Sequence, residues 1–470
     1  MTQFKKLACK LKKFFDFILL KPERIFLTLA IPTCLFSAVF VPQLSEFDGD
    51  SHFNAIYTYS DFDFSCDPDN HTVPRAVADK IHSSEGGARG YYGGFAQKVD
   101  YTDTVEIRCA GYQPWAYVPQ IIGVWMAKLI YPSVGLMVLL ARLFSAALFC
   151  AAGYFLIRKL KIGKYVLLAV LLIPVIIQQS ASVSADASVN LIMLGIIVSI
   201  LNLFVSQKKA QKSQIIWLLA LLVLATLTKL NNLILFLPMI FLPSRLFADN
   251  KLKKIPFNVQ KWSVALLFGV GFVAAYLVSS LTADGSGGVI SAAIDGDVGV
   301  WRFLNILYNT YIADMSSVIL DETFNQFSSF GYHSPMFILI INIMAILFAL
   351  LYRNKTETAY AKNISKSLTG VCLATGGLFV VAVSYIMLFA WAKPDVIFAD
   401  GVQGRYFTAL IPLLIPLFVI IQKRFRIEIT DQRFAKLMTV LLSIVLLSYM
   451  YLTILFIQHD FDFNSGYVSF

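Results

Sequence analysis

Residues 136–157 read LMVLLARLFSAALFCAAGYFLI, and the basic run RKLKIGK of residues 158–164 follows them at once. An apolar run of about 20 residues is the length that crosses a bilayer as an α-helix. Similar runs recur along the 470-residue chain, in which 57% of residues are hydrophobic and 14% are charged. The mean hydropathy is +0.69. This composition excludes a soluble globular protein and a disordered chain, and it predicts an all-α polytopic membrane protein.

The apolar runs predict about 11 transmembrane helices. Their approximate ranges are 25–41, 136–157, 165–179, 188–205, 214–228, 231–247, 262–281, 336–352, 368–391, 407–421 and 437–457. The first run could also be the apolar part of a signal peptide, but Pro42-Gln43-Leu44 is a poor cleavage site, so we expect a retained helix. The chain then divides into a basic amphipathic segment at 1–24, a transmembrane domain at 25–457 and a tail at 458–470.

The distribution of charge predicts the orientation. The links assigned to the cytoplasmic side hold 28 of the 39 Lys and Arg residues but 6 of the 29 acids, as the positive-inside rule expects. The N-terminus is then inside, the C-terminus is outside, and the long loops 42–135 and 282–335 face outward. To keep this pattern, residues 116–131 must form an interfacial helix on the outer surface. The net charge of +10 is explained by these links, so nucleic acid is not an expected partner.

The cysteines and short sequence motifs give little information about function. Cys66 and Cys109 are the two of six cysteines that lie in an outer loop, where an oxidising compartment permits a disulfide, and whether they are bridged stays open. No CxxC, HExxH, Walker or GxGxxG pattern occurs.

The first cluster of reactive side chains follows the first predicted helix. Residues 46–53 read EFDGDSHF and place Asp48, Asp50 and His52 at the outer membrane edge. Carboxylates there could act as a general base or hold a divalent metal such as Mg or Mn, and Asp48 and His52 would share a helix face if Asp48 opens a helix. The alternative is that Asp48 merely caps that helix.

Three further charged residues are predicted at the same edge. Asp186 precedes the fourth predicted span and could either cap it or act in catalysis, and Lys229 and Arg405 lie at the outer ends of two other spans. A cation at this depth either anchors its helix or binds a phosphate group. Arginine suits phosphate because of its planar fork, and lysine acts as a point charge.

This layout resembles the GT-C superfamily of polytopic glycosyltransferases, in which an acidic motif opens a long first outer loop and a second acid lies in the next one. Within it, the chain resembles, from about residue 25 to 425, a bacterial family of membrane proteins with an uncharacterised domain. The matching segments are Asp48 to Phe53 (family Asp-Glu-x-x-His-Phe), Ser184-Ala185-Asp186, Phe330-Gly331-Tyr332 (family Phe-Gly-Trp), and Gln403-Gly404-Arg405-Tyr406-Phe407, which is the most distinctive.

The resemblance implies a role for each matching residue. Asp48, Asp50, His52 and Asp186 would be catalytic, Lys229, Gln403, Arg405 and Tyr406 would bind the donor's lipid phosphate, and Phe330 and Tyr332 would line the acceptor or sugar pocket. Gly49 stands where the family has Glu, so Asp50 or Glu46 supplies the second carboxylate, or none does. Similar enzymes differ in whether they need a divalent metal.

The leading prediction is therefore a glycosyltransferase in a bacterial cytoplasmic membrane. It would move a sugar from a polyprenyl phosphate to an envelope glycan, such as O-antigen or a wall polymer, on the outer face. The alternative is a transporter or flippase of a lipid-linked glycan, although no internal repeat or polar span interior favours a carrier. A structural subunit of an envelope complex is the third possibility.

Overall fold

The computed structural model describes residues 21–41, 46, 48–64, 72–78, 94–107, 112–206, 210–241, 300–313, 316–324, 335–391, 397–399 and 401–462. These residues are largely helical. In the first half of the chain the helices are α1 (Pro22–Phe40), α2 (Gly49–Ser60), α3 (Arg75–Ala78), α4 (Val118–Ile130), α5 (Val134–Lys159), α6 (Lys164–Leu171), α7 (Pro174–Ser180), α8 (Asp186–Val205) and α9 (Lys212–Thr228). In the second half they are α10 (Val300–Tyr311), α11 (Ser316–Phe324), α12 (Met336–Leu351), α13 (Thr358–Ala361), α14 (Lys366–Trp391), α15 (Ile415–Ile421) and α16 (Asp431–Asp462).

A short antiparallel strand pair lies in the link between α2 and α4. β1 (Thr72–Pro74) pairs with β2 (Thr104–Glu106) in the register Thr72 to Glu106. The described residues are thus almost all helical, with one small ribbon that sequence periodicity did not indicate.

Within the described residues, six helical segments are long and apolar enough to cross a membrane. They are Pro22–Phe40, Val134–Lys159, Asp186–Val205, Lys366–Leu388, Gly404–Ile421 and Asp431–Leu455. A seventh is counted if Met336–Leu351 and Lys355–Ala361, which meet at 51°, form one bent span. These segments confirm a multi-pass membrane protein, while the count of eleven stays a prediction because the predicted span 262–281 lies outside the described residues.

The predicted span 165–179 is divided in two. α6 and α7 meet at Leu172 and Ile173, and Pro174 is the first residue of α7. Proline removes a backbone N–H and restricts the residue before it, so it starts a helix more readily than it continues one. Each piece is too short to span a bilayer alone.

Two 3₁₀ segments replace parts of predicted spans. Leu230–Phe241 contains Pro238 and Gly404–Leu414 contains Pro412. A 3₁₀ helix has three residues per turn and seldom exceeds about four residues, so these runs are unusually long. Lys229 directly precedes the first segment, and Arg405 and Tyr406 begin the second.

The helix α4 packs closely along α5. The first is the predicted interfacial helix, and Gly123 lies where an added Cβ would come within 2.5 Å of the backbone of Leu140 and Ala141. Only glycine therefore permits this approach. α1 also packs along α5. Ser37 Oγ of α1 and Tyr449 OH of α16 lie 2.7 Å apart. α5 thus has both α1 and α4 packed against it.

Candidate functional site

Arg405 is the centre of a cluster of charged side chains. Its side chain is buried, its Nε lies 3.3 Å from Asp186 Oδ2, and its NH2 lies 4.0 Å from Asp48 Oδ2. A buried guanidinium is costly unless carboxylates offset its charge. The structure therefore brings together three predicted site residues from segments that are far apart in sequence.

Asp186 is held by a chain of buried side chains. It is the first residue of α8, and its backbone N–H donates to Ser184 Oγ at 3.1 Å. Gln179 Nε2 donates to Asp186 Oδ2 at 3.1 Å, and Asn190 Nδ2 donates to Gln179 Oε1 at 3.0 Å. The carboxylate also lies at a helix N-terminus, where the helix dipole favours negative charge. Asp186 is thus fixed in place and fixes Arg405 in turn.

Asp48 is the accessible acid of the cluster. It directly precedes α2, has φ 55° and ψ 28° in the left-handed region, and makes no side-chain cap hydrogen bond. Aspartate tolerates this conformation better than most residues. Its side chain is 67% exposed, whereas that of Arg405 is 4% exposed. A carboxylate that does not cap its helix is available to a ligand, which argues against the capping alternative.

Lys229 approaches the same cluster from the end of α9. Its Nζ lies 4.3 Å from the centroid of the Tyr406 ring and donates to Tyr112 OH at 3.2 Å. The guanidinium of Arg405 lies 5.5 Å from that same ring. An ammonium over an aromatic face is stabilised by the partial negative charge of the π-electron face of the neutral ring. Tyr406 therefore connects the two cations.

His52 packs against the rings of Tyr112 and Tyr117 next to this cluster and is uncharged at neutral pH. Its Nδ1 lies 2.6 Å from Tyr117 OH, so the structure pairs it with Tyr117. Burial lowers the pKa of His52 to about 4, against the opposing effect of the carboxylates of Asp186 and Asp48. Burial likewise raises the pKa of the Tyr117 phenol above its usual range. His52 is thus a neutral hydrogen-bonding residue.

The 3₁₀ segment that carries Arg405 is held by α11. An added Cβ on Gly404 would lie 2.1 Å from Ile319 O, and the Gly404 N–H donates to Glu322 Oε2 at 2.7 Å. Next to it, Gln403 has a buried Oε1 without a hydrogen-bond partner in the described part of the chain. The segment therefore presents an amide oxygen that a ligand hydroxyl could satisfy.

A buried ion pair beside the site was missed by sequence reasoning. Arg142 Nε donates to Glu46 Oε1 at 2.6 Å, and Arg142 NH1 donates to Val41 O at 2.6 Å. Both side chains are almost fully buried. The signal was available, because a charged residue inside an apolar helix is expensive and commonly paired. Glu46 is thus engaged with Arg142, and of the alternatives for a second carboxylate Asp50, or none, remains.

The described residues offer few side chains that could hold a metal ion. Among the residues that the structure describes, no set of three His, Cys, Asp or Glu side chains is arranged to hold a metal ion. Asp48 and Asp50, in and beside the first turn of α2, supply two carboxylates. Mg²⁺ is often held by one or two carboxylates together with a substrate phosphate.

The remaining predicted residues cannot be placed in the site. Phe330 and Tyr332 lie outside the described residues, as do Cys66 and Cys109. Tyr112, Tyr117, Gln179 and Glu322 join the site although no sequence motif indicated them. These four residues can be recognised only from their positions in the folded structure, because none lies in a distinctive sequence pattern.

The helices and the charged cluster define a polytopic membrane protein whose polar site lies where several helices begin or end. Residues 33–414 match the family described as a predicted membrane protein (DUF2142), and the chain belongs to this family. The match spans every residue of the cluster. No curated protein and no solved structure matches the chain.

Proposed function

We propose that this protein is a membrane glycosyltransferase that uses a polyprenyl-phosphate sugar as donor. The acceptor is a hydroxyl of an envelope glycan, such as O-antigen or a wall polymer, on the outer face of a bacterial cytoplasmic membrane. The observation that carries the proposal is the position of Arg405 between Asp48 and Asp186, with Lys229 on the neighbouring Tyr406 ring.

The cluster has the parts that such a transfer needs. Asp48 is exposed and takes the proton of the acceptor hydroxyl as its oxygen attacks C1 of the sugar. The bond from C1 to the lipid phosphate oxygen breaks, and its electron pair stays on that phosphate. A new glycosidic bond replaces it, with inversion at C1.

The cations stabilise the charge that develops on the leaving phosphate. The planar guanidinium of Arg405 is suited to two phosphate oxygens, and Lys229 contributes a point charge beside it. Both are already in place before a ligand arrives, through the ion pair with Asp186 and the contact with Tyr406. Positioned charges of this kind usually make the largest contribution to catalysis.

The proposal is tested with the substitution Asp48→Asn. The amide keeps the shape of the side chain and removes its basicity, so we expect transfer to fall by roughly 10²- to 10⁴-fold. The measurement uses purified protein with radiolabelled polyprenyl-phosphate hexoses and isolated envelope glycan, scored for sugar transfer. Because Asp48 is exposed, expression and membrane insertion should match those of the wild type.

Asp50→Asn is the matched comparison. It makes the same chemical change two residues away, and if Asp48 is the base it should cost less activity than Asp48→Asn. Wild-type transfer in Asp48→Asn together with collapse in Asp50→Asn would assign the base to Asp50. Absence of transfer by the wild type across the donor panel, with translocation of a lipid-linked glycan in vesicles, would overturn the proposal in favour of a flippase.

A further inference from the structure

A groove of about 860 Å³ lies between α5, α8 and α9. Its lining is mainly apolar and includes Leu148, Phe155, Ile192, Trp217 and Leu221. α5 and α8 are long enough to cross the membrane, and α9 is a shorter apolar helix. A groove between membrane-spanning helices faces the hydrocarbon core of the bilayer. The group expected to fill an apolar groove there is a hydrocarbon chain.

The two ends of the groove differ in polarity. The end nearer the candidate site is formed by residues such as Trp115, Val118 and Leu224. The opposite end is formed by the last turns of α5 and α8 and the first turn of α9, and it contributes Lys159, Asn202, Ser213 and Gln214. Among the described lining residues, Lys159 is the one charged side chain. The groove is therefore mainly apolar along its length, where Ser188 and Ser199 are the polar lining residues, and most polar at the end away from the site.

Basic residues flank that polar end in the chain, and one acid, Glu357, accepts hydrogen bonds from the backbone of Gly163 and Lys164. Arg158, Lys161, Lys164 and Lys212 lie close to it in the chain. Two of them are engaged with backbone groups, since Lys161 Nζ donates to Asn202 O at 3.4 Å and Lys164 Nζ donates to Arg158 O at 3.2 Å. Lys159 lies in the lining itself, and α9 directs the positive end of its helix dipole to the same place. Because Asn202 already donates to Lys159 O, an anion at this end would meet the charge of Lys159 and the side-chain donors of Ser213 and Gln214.

We propose that the groove binds one anionic phospholipid, with its phosphate at Lys159, Ser213 and Gln214 and an acyl chain between α8 and α9. The occupant comes from the leaflet at the basic end of the helices. A donor lipid held by Arg405 and Lys229 would have its phosphate at the opposite end, so the two phosphate positions are distinct. A zwitterionic lipid fits the apolar walls equally well but gains less from the basic end, because its headgroup carries no net charge.

The test measures lipid retained by the purified full-length protein. Delipidated protein is titrated with dioleoylphosphatidylglycerol or dioleoylphosphatidylcholine, and the bound lipid is counted by native mass spectrometry. We expect one phosphatidylglycerol to be retained in preference to phosphatidylcholine. Lys159→Gln should weaken retention about fivefold, the contribution of one lysine near an anionic headgroup.

Lys366→Gln is the matched control for charge. Lys366 is the first residue of α14. It lies at the same end of the bundle as Lys159, because nearby Asn363 Nδ2 donates to Val205 O at the end of α8 at 2.7 Å. Its side chain is exposed and does not line the groove. Retention should be unchanged in this variant. An equal loss in Lys366→Gln and Lys159→Gln would show general surface attraction and would overturn the proposal, as would equal retention of the two lipids.

A second pair of variants tests the apolar part. Ser199→Trp places a large side chain in the groove and should abolish retention, whereas Gly377→Trp points into open space on α14 and should have no effect. Both must first match the wild type in thermal unfolding and monodispersity. Undiminished retention in a folded Ser199→Trp would overturn the site, and so would displacement of phosphatidylglycerol by equimolar polyprenyl phosphate.

Discussion

The guanidinium of Arg405 has two neighbouring carboxylates that differ in exposure. Asp186 is buried and held by Gln179, whereas Asp48 is largely open to solvent and lies further away. A ligand phosphate can displace the weaker and more exposed contact at little cost, while the buried pair keeps the guanidinium oriented. The same arrangement explains why an anchoring role alone is a poor account of this arginine, since an anchor needs only a cation that reaches the headgroups.

Arg405→Lys separates the two roles. Lysine preserves the charge but lacks the planar fork, so phosphate binding should suffer while anchoring should not. We expect kcat/KM to fall at least about tenfold, roughly 1.4 kcal/mol of transition-state stabilisation, and Arg405→Ala to lose more. The measurement is transfer at subsaturating donor. If both variants retained wild-type transfer, no important phosphate contact could depend on the guanidinium.

The long 3₁₀ segment Gly404–Leu414 depends on its contact with α11. Gly404 has no room for a side chain, because the nearest obstacle is the backbone oxygen of Ile319 and not a flexible side chain. Tight packing of this kind sets the position of Arg405 relative to the acids. A displacement of this segment would therefore disturb both the stability and the site.

Gly404→Ala tests that dependence. The added methyl group would force α11 and the 3₁₀ segment apart, and we expect a loss of at least about 2 kcal/mol in the free energy of unfolding. Thermal unfolding in detergent provides the measurement. Gly377→Ala is the control, since nothing lies within 4 Å of its added Cβ, and it should be neutral or slightly stabilising. Equal stability of the two variants would show that α11 yields at no cost.

The distribution of charge along the whole chain yields a topology prediction. With the N-terminus inside and eleven spans, single cysteines at Gly287 or Ser465 should react with a membrane-impermeant reagent added from outside. Cysteines at Lys209 or Asn354 should not react, because the basic links face the cytoplasm. The measurement is labelling of intact cells in a background without accessible cysteines. An externally reactive label at Asn354 would contradict the eleven-span arrangement.

The sequence was most informative where polar residues interrupt apolar runs. Asp48, Asp186, Lys229 and Arg405 stood at the ends of such runs, so membrane geometry placed all four at one edge and the structure brings them together. Local pattern could not reveal the partner of Arg142, because nothing near either residue specifies a pairing across two separate segments.

Backbone conformation was harder to predict from the sequence than the apolar runs. A 3₁₀ helix and an α-helix can share the same apolar pattern, so the two 3₁₀ segments were predicted as ordinary spans. The break in the third predicted span, by contrast, coincides with Pro174, a residue that starts a helix more readily than it continues one. Side chains such as Gln179 become recognisable only once the helices are packed.

The pairing of two acids with two cations has a further consequence for how a ligand arrives. The formal charges of Asp48, Asp186, Lys229 and Arg405 cancel, and His52 adds none at neutral pH because its pKa is about 4. The neighbouring Asp50 and Glu322 add only negative charge. A site without net positive charge cannot draw an anion from a distance by electrostatic steering. Encounter must then depend on lateral diffusion within the membrane, and its rate should vary little with ionic strength.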